Sequence, residues 1–144
     1  MPKSTSTCNN ILALIFNATT WADIAENDTS SPNTNLYLSL HTASPGIGNN
    51  QTTNETAYTN YVRVAVVRTS VGWDVPSGGA TANAALIQFA QCGVTGATIT
   101  HLAIGTASSG AGTVLYEGAL NSSLAVANLI QPQFNASAIT VTET

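Results

Sequence analysis

The stretch NLYLSLHT, Asn35 to Thr42, alternates apolar and polar side chains with a period of two. Neighbouring side chains on a strand point to opposite faces, so Leu36, Leu38 and Leu40 share one face and Tyr37, Ser39 and His41 the other. That is the pattern of a half-buried strand. Toward the C-terminus, ASPGIGNNQTTNET (residues 43–56) is a loop by its Pro, Gly and Asn content. The alternation resumes in YTNYVRVAVVRTS (residues 58–70). Arg63 and Arg68 lie an odd number of positions apart there and cannot both face solvent along one regular strand. A bulge, a bend or a paired buried arginine must intervene.

Five further segments have strand character: VGWDV (71–75), AALIQFA (84–90), TITHLAIGT (98–106), TVLYEGAL (113–120) and AITVTET (138–144). A looser apolar stretch from Leu124 to Phe134 is interrupted by Pro132. Short strands at this spacing predict a mainly β fold, a single-domain β-sandwich or jelly-roll-like barrel. GTASSGAGT, Gly105 to Thr113, has the glycine content of a phosphate loop, but Ala111 stands where such a loop needs lysine. Flanked by strand-like segments, it is a hairpin tip whose glycines supply positive φ.

Before Asn35 the period is helical. CNNILALIFNATTWADIAEND (residues 8–28) carries an apolar block, Ile11 to Phe16, too hydrophobic all round to lie on a surface. Thr20 and Asp23 have the form of a capping box, which predicts a second short helix from Trp21 to about Glu26. NDTSSPNTN (residues 27–35) is a polar connector. The expected organisation is a helical segment and connector over 1–35 followed by a β-sandwich domain over 36–144.

Charged residues are 7% of the 144-residue chain, against about a quarter in an average soluble protein, so the surface is built from uncharged polar residues. Lys3, Arg63 and Arg68 are the only cations and the formal net charge is −4, which excludes a basic surface for nucleic acid. The longest apolar run, Ile11 to Phe16, is far short of the ~20 residues that cross a bilayer, and too short for a secretory leader. The expectation is synthesis in a cytoplasm without export. Cys8 and Cys92 form no CxxC and no metal spacing with His41 or His101, and each is expected as a free thiol, with a bridge between them left open.

Catalytic constellations are weak. His41 and His101 fall on polar strand faces, no Ser occupies a Gly-x-Ser-x-Gly elbow, and Asp74 beside Trp73 is the one carboxylate in a suggestive strand-end context. Asp23, Glu26, Asp28, Glu55, Asp74, Glu117 and Glu143 offer no persuasive pair for glycoside cleavage. Trp21, Trp73, Tyr37, Tyr58, Tyr61 and Tyr116 serve as core or interface anchors more readily than as a sugar platform. The expectation is no enzyme, no catalytic, cofactor or metal residues and no cofactor. The strand edges lack lysine and other guards, which points to cover by a homo-oligomer or by docking onto a larger surface.

LIFNATTWADIAENDTSSPNTNLYLSLHTASPG, QTTNETAYTNYVRVAVVRTSVGW, THLAIGTASSGAGTVLYEGAL and the closing ITVTET together resemble a family of small tailed-bacteriophage structural proteins. Members are commonly labelled tail fibre proteins, and some related chains look like capsid cement (decoration) proteins. The resemblance spans nearly the whole chain and is most specific in NLYLSLHTASPG and YVRVAVVRTSVGW; Ser44 stands where the family usually has Asp. It implies a non-enzymatic virion component, an N-terminal helical segment and a β-rich domain. The leading expectation is a cement protein that clamps neighbouring subunits of the major capsid protein and stabilises the head. The alternative is a tail-associated module that recognises host surface glycan through the Ile47–Thr56 loop or the aromatic residues. A third is a hydrolase using His41 or His101.

Overall fold

A computed structural model describes residues 3–21, 32–46 and 48–144. The capping box at Asp23, the second helix and most of the connector lie outside the described residues, as does Ile47. Among the described residues the fold is mainly β with one N-terminal helix, and its sheets are open, which fits the sandwich form of the expectation. The elements are α1 (Thr5–Phe16), β1 (Asn35–His41), β2 (Val64–Val67), β3 (Ala80–Ala82), β4 (Ile87–Gln88), β5 (Ala97–Gly105), β6 (Val114–Val126), β7 (Gln133–Phe134) and β8 (Thr140–Thr142). They fall into two compact units, one of Met1–Asn35, Val67–Ile87 and Phe134–Thr144, the other of Leu36–Val66 and Gln88–Gln133.

In the first unit, Ser4 caps α1 by accepting from the Thr7 N–H at 3.2 Å. Cys8, Leu12 and Phe16, four residues apart, form its buried stripe. Phe16 meets the fully buried Trp73 edge-on at 4.6 Å. The last turn of α1 ends on Arg68, whose Nε donates to Ile15 O at 2.5 Å and Nη2 to Leu14 O at 2.6 Å, while Nη1 donates to Asn33 O at 2.6 Å. A cation set against unpaired terminal carbonyls also complements the helix dipole. β3 and β8 pair antiparallel, Thr81 opposite Val141. The fully buried Asn83 binds the backbone around them, donating to Ala85 O and Asn135 O and accepting from Ile139 N, each at 2.8 Å.

The second unit holds a sheet of order β2-β1-β5-β6. β1 and β5 run antiparallel with Leu40 opposite Leu102 and His41 opposite His101, and Leu36, Leu38, Leu40, Ile99 and Ile104 fill the core. Along β5 and β6 a step of two residues, Ile99 to His101, is matched by a step of five, Leu124 to Ala119. The wide bulge over residues 120–123 interrupts the edge strand β6, a guard against edge pairing that composition did not disclose.

Strand lengths depart from expectation. VGWDV is a turn whose Trp73 makes an isolated bridge to Asn83, AALIQFA retains only Ile87–Gln88, and YTNYVRVAVVRTS only Val64–Val67. TVLYEGAL instead continues to Val126, taking over the start of the apolar stretch expected from Leu124. Side-chain hydrogen bonds replace the ladder where strands are short: Asn83 donates to Asn135 O and accepts from Ile139 N, and Tyr58 donates from its hydroxyl to Ala90 O at 2.9 Å.

Candidate functional site

Alternation puts Ser39 and His41 on a solvated face of β1; both are completely buried. The cause is the end of the 43–56 loop, which returns along the end of β1: Thr56 N donates to Leu40 O and Thr42 N to Asn54 O, each at 2.9 Å. The loop's second half is thereby a wall, and its polar side chains become interior groups.

Arg63 and Glu55 form the charged centre of this wall. Arg63 Nε and Nη2 donate to the two Glu55 oxygens at 2.7 Å each, and its side chain is only 2% exposed. Nη1 also donates to Ala107 O at 2.9 Å and Nη2 to Gly110 O at 2.8 Å, so one guanidinium clasps the 106–113 tip to the loop. Hydrogen bonding to Glu55 raises the Arg63 pKa further above its ordinary value. Tyr61 donates to Glu55 Oε1 at 2.8 Å and accepts from Leu40 N at 3.0 Å, and burial pushes its pKa well upward.

A second, neutral chain lies beside it. His41 Nδ1 is 2.9 Å from Thr53 O, a group that only accepts, so the network assigns the proton to Nδ1 and leaves Nε2 to accept from Ser39 Oγ at 2.9 Å. Gln51 Nε2 donates to Tyr37 O at 3.1 Å and reaches Ser39 Oγ at 3.5 Å, and Gln51 Oε1 accepts from Ala107 N at 3.1 Å. Burial holds the His41 pKa below its ordinary value. A Ser–His contact of this length has the form of a catalytic dyad, but both residues are sealed from solvent and the third partner is a carbonyl rather than a carboxylate.

The tip glycines have a use beyond turning. Only Gly110 has a positive φ, +71°. A Cβ on Gly105 would lie 2.2 Å from Gln51 Cδ and one on Gly112 2.2 Å from its Oε1, so both glycines make room for the Gln51 amide.

The other candidate residues are dispersed. His101 is half-buried with Nδ1 2.8 Å from Thr100 Oγ1. Asp74 is exposed and belongs to the first unit, as do Trp21 and Trp73. Glu117 accepts from Ser44 Oγ at 3.3 Å and Glu143 pairs with Lys3. Tyr58 is buried, with its pKa pushed up to about 12 by burial; Tyr37 and Tyr116 are half-buried. Cys8 and Cys92 are buried free thiols. Among the described residues no three His, Cys, Asp or Glu side chains gather as a metal site, and no helix is long and apolar enough to cross a membrane.

An open depression of about 380 Å³ lies against this network, between residues 55–63 and Ser108–Gly110. Fold and network define the class: a small β-rich structural module whose buried polar groups hold its loops. The chain belongs to the podophage GP4 fiber I protein gp80 family, whose model matches residues 2–142, which makes it a fibre-related structural protein of tailed phage. No curated protein matches it.

Proposed function

We propose that the chain is a non-enzymatic fibre module of the tail, present in the virion and carrying a rigid loop platform outward. The observation that carries this reading is the match to a fibre family over residues 2–142. It is supported by the way the polar residues are used: Arg63, Glu55, His41 and Gln51 are consumed in holding the loop and the tip. Assembly would involve further copies of the chain, with the Val114–Ala119 part of the β6 edge and its single charge, Glu117, as a pairing surface. Peptide quantitation of purified virions tests the reading. A fibre module is expected at a small fraction of the major capsid protein's copy number.

A second reading, a cement protein bound to the major capsid protein on the head, is favoured by apolar side chains left exposed in the first unit. Val71 and Val75 are each 73% exposed and Leu86 49%, suited to burial at subunit junctions. Copy number on the scale of the capsid subunit would favour it over the fibre.

A further inference from the structure

Leu129 stands where the backbone asks for a different residue. The Ile130 N–H donates to Ala127 O at 3.0 Å and closes a turn, and Leu129, its third residue, has φ +67°. A turn of that form selects glycine or asparagine at its third position, because other side chains are strained there. The leucine adds little to the core, since it is 68% exposed. Ile130 beside it is 43% exposed, and Val94, two residues beyond the Cys92 that bonds to the turn, is 87% exposed. Strain held at an exposed apolar residue calls for a contact outside the chain.

The turn is already ordered for such a contact. Leu129 N donates to Cys92 O at 2.9 Å, Cys92 N to Ile130 O at 2.8 Å, and the Gln91 amide to Leu129 O at 3.0 Å. With the Ile130–Ala127 bond, every backbone N–H and C=O of Leu129 and Ile130 is satisfied within the chain, so covering the two residues strands no backbone group. Gln91, Thr95, Asn128 and Gln131 around them are exposed, polar and uncharged. An apolar centre with a polar rim is the anatomy of a protein–protein interface. No Asp, Glu, Lys or Arg occurs over residues 75–116 or 118–142. We propose that this turn is a self-contact, at which Leu129, Ile130 and Val94 of two copies of the chain meet across a two-fold axis. A two-fold contact sets a patch against its own duplicate, which a charged patch resists and an uncharged one permits. A lipid surface is the poorer fit, because residues 91–95 and 127–131 include no cation and no aromatic ring to anchor the loop among headgroups. Three apolar side chains make a small centre, so an isolated pair is weak, with a Kd on the order of 100 μM, and gains through repetition in an assembly. The contact is separate from the β6 edge and does not rest on the fibre reading.

The test is self-association of the purified full-length, 15N-labelled chain, followed by sedimentation equilibrium and by amide shifts on dilution from about 1 mM to about 10 μM. A monomer–dimer equilibrium is expected, with concentration-dependent shifts centred on residues 94–95 and 128–131. Leu129→Asn, which removes the apolar side chain and suits a positive φ, is expected to weaken the dimer about tenfold without lowering the melting temperature of the dilute monomer. Val94→Ser is expected to weaken it too, and Val71→Ser, at a valine 73% exposed in the first unit, to change nothing. A monomer at every concentration, dilution shifts confined to residues 114–119, or an unchanged Kd in Leu129→Asn would overturn the proposal. A lowered melting temperature in that variant would assign the leucine to the fold and overturn it as well. Binding of the monomer to phosphatidylcholine/phosphatidylglycerol vesicles with shifts at residues 128–131, in place of dimerisation, would give the patch to lipid. Absence of the dimer leaves the fibre reading standing, and a copy number that places the chain on the head leaves the dimer standing.

Discussion

Arg63 and Glu55 stand eight positions apart in the chain and meet through two hydrogen bonds of 2.7 Å, with the arginine side chain 2% exposed. Removing one partner strands the other's charge in the interior. Glu55→Ala is expected to destabilise the fold by about 3–5 kcal/mol, measured by urea unfolding. Replacing both, Glu55→Leu with Arg63→Met, is expected to cost less than Glu55→Ala alone. Additive losses would contradict the pairing.

Gln51 occupies the space that side chains at 105 and 112 would need. Gly105→Ala is expected to destabilise by about 1–3 kcal/mol through overpacking against the Gln51 amide. Shortening the glutamine in the Gly105→Ala background, with Gln51→Ala, is expected to recover part of that loss. A double-variant cycle with no coupling would show that the glycine is needed for some other reason.

Burial lowers the His41 pKa from its ordinary value of 6.5. The unfolded chain therefore binds more protons than the folded one between the folded value and about 6.5, so stability rises with pH across that window. The contribution is fully present above about 6.5 and is lost as pH falls toward the folded value. Urea midpoints measured from pH 8 down to pH 5 should decline below about 6.5, and His41→Gln should flatten that decline. An unchanged slope in the variant would assign the effect to another group.

Arg68 closes the end of α1 on Leu14 O and Ile15 O. Arg68→Ala is expected to raise amide exchange across the last turn of the helix, residues 13–17, and to cost about 1–3 kcal/mol. Arg68→Lys, with one donor group in place of a planar fork, is expected to recover only part of it. Exchange unchanged in both variants would remove the capping role.

Much of the fold was legible because it rests on local periodicity. Leu36, Leu38 and Leu40 announce β1, and the apolar block from Ile11 to Phe16 announces a packed helix, all six of whose residues are half-buried or buried. The odd spacing of Arg63 and Arg68 already required something such as a paired buried arginine, and Arg63 is one. The site was not legible, because its parts are distant in sequence and lie in segments with the composition of solvent loops. Glu55, Gln51 and Thr53 carry no signal that they pack over β1, and without that wall His41 belongs on an open face. The tip glycines pointed to a turn, correctly, but room for Gln51 is a tertiary requirement that no spacing encodes.

The fibre reading is tested most directly by where the protein sits on the particle. Electron cryomicroscopy of the virion, with gold-labelled antibody raised against this chain, should place label and matching density on the tail fibres and leave the head lattice bare. Density of this volume repeated across the head shell, with unlabelled tails, would contradict it.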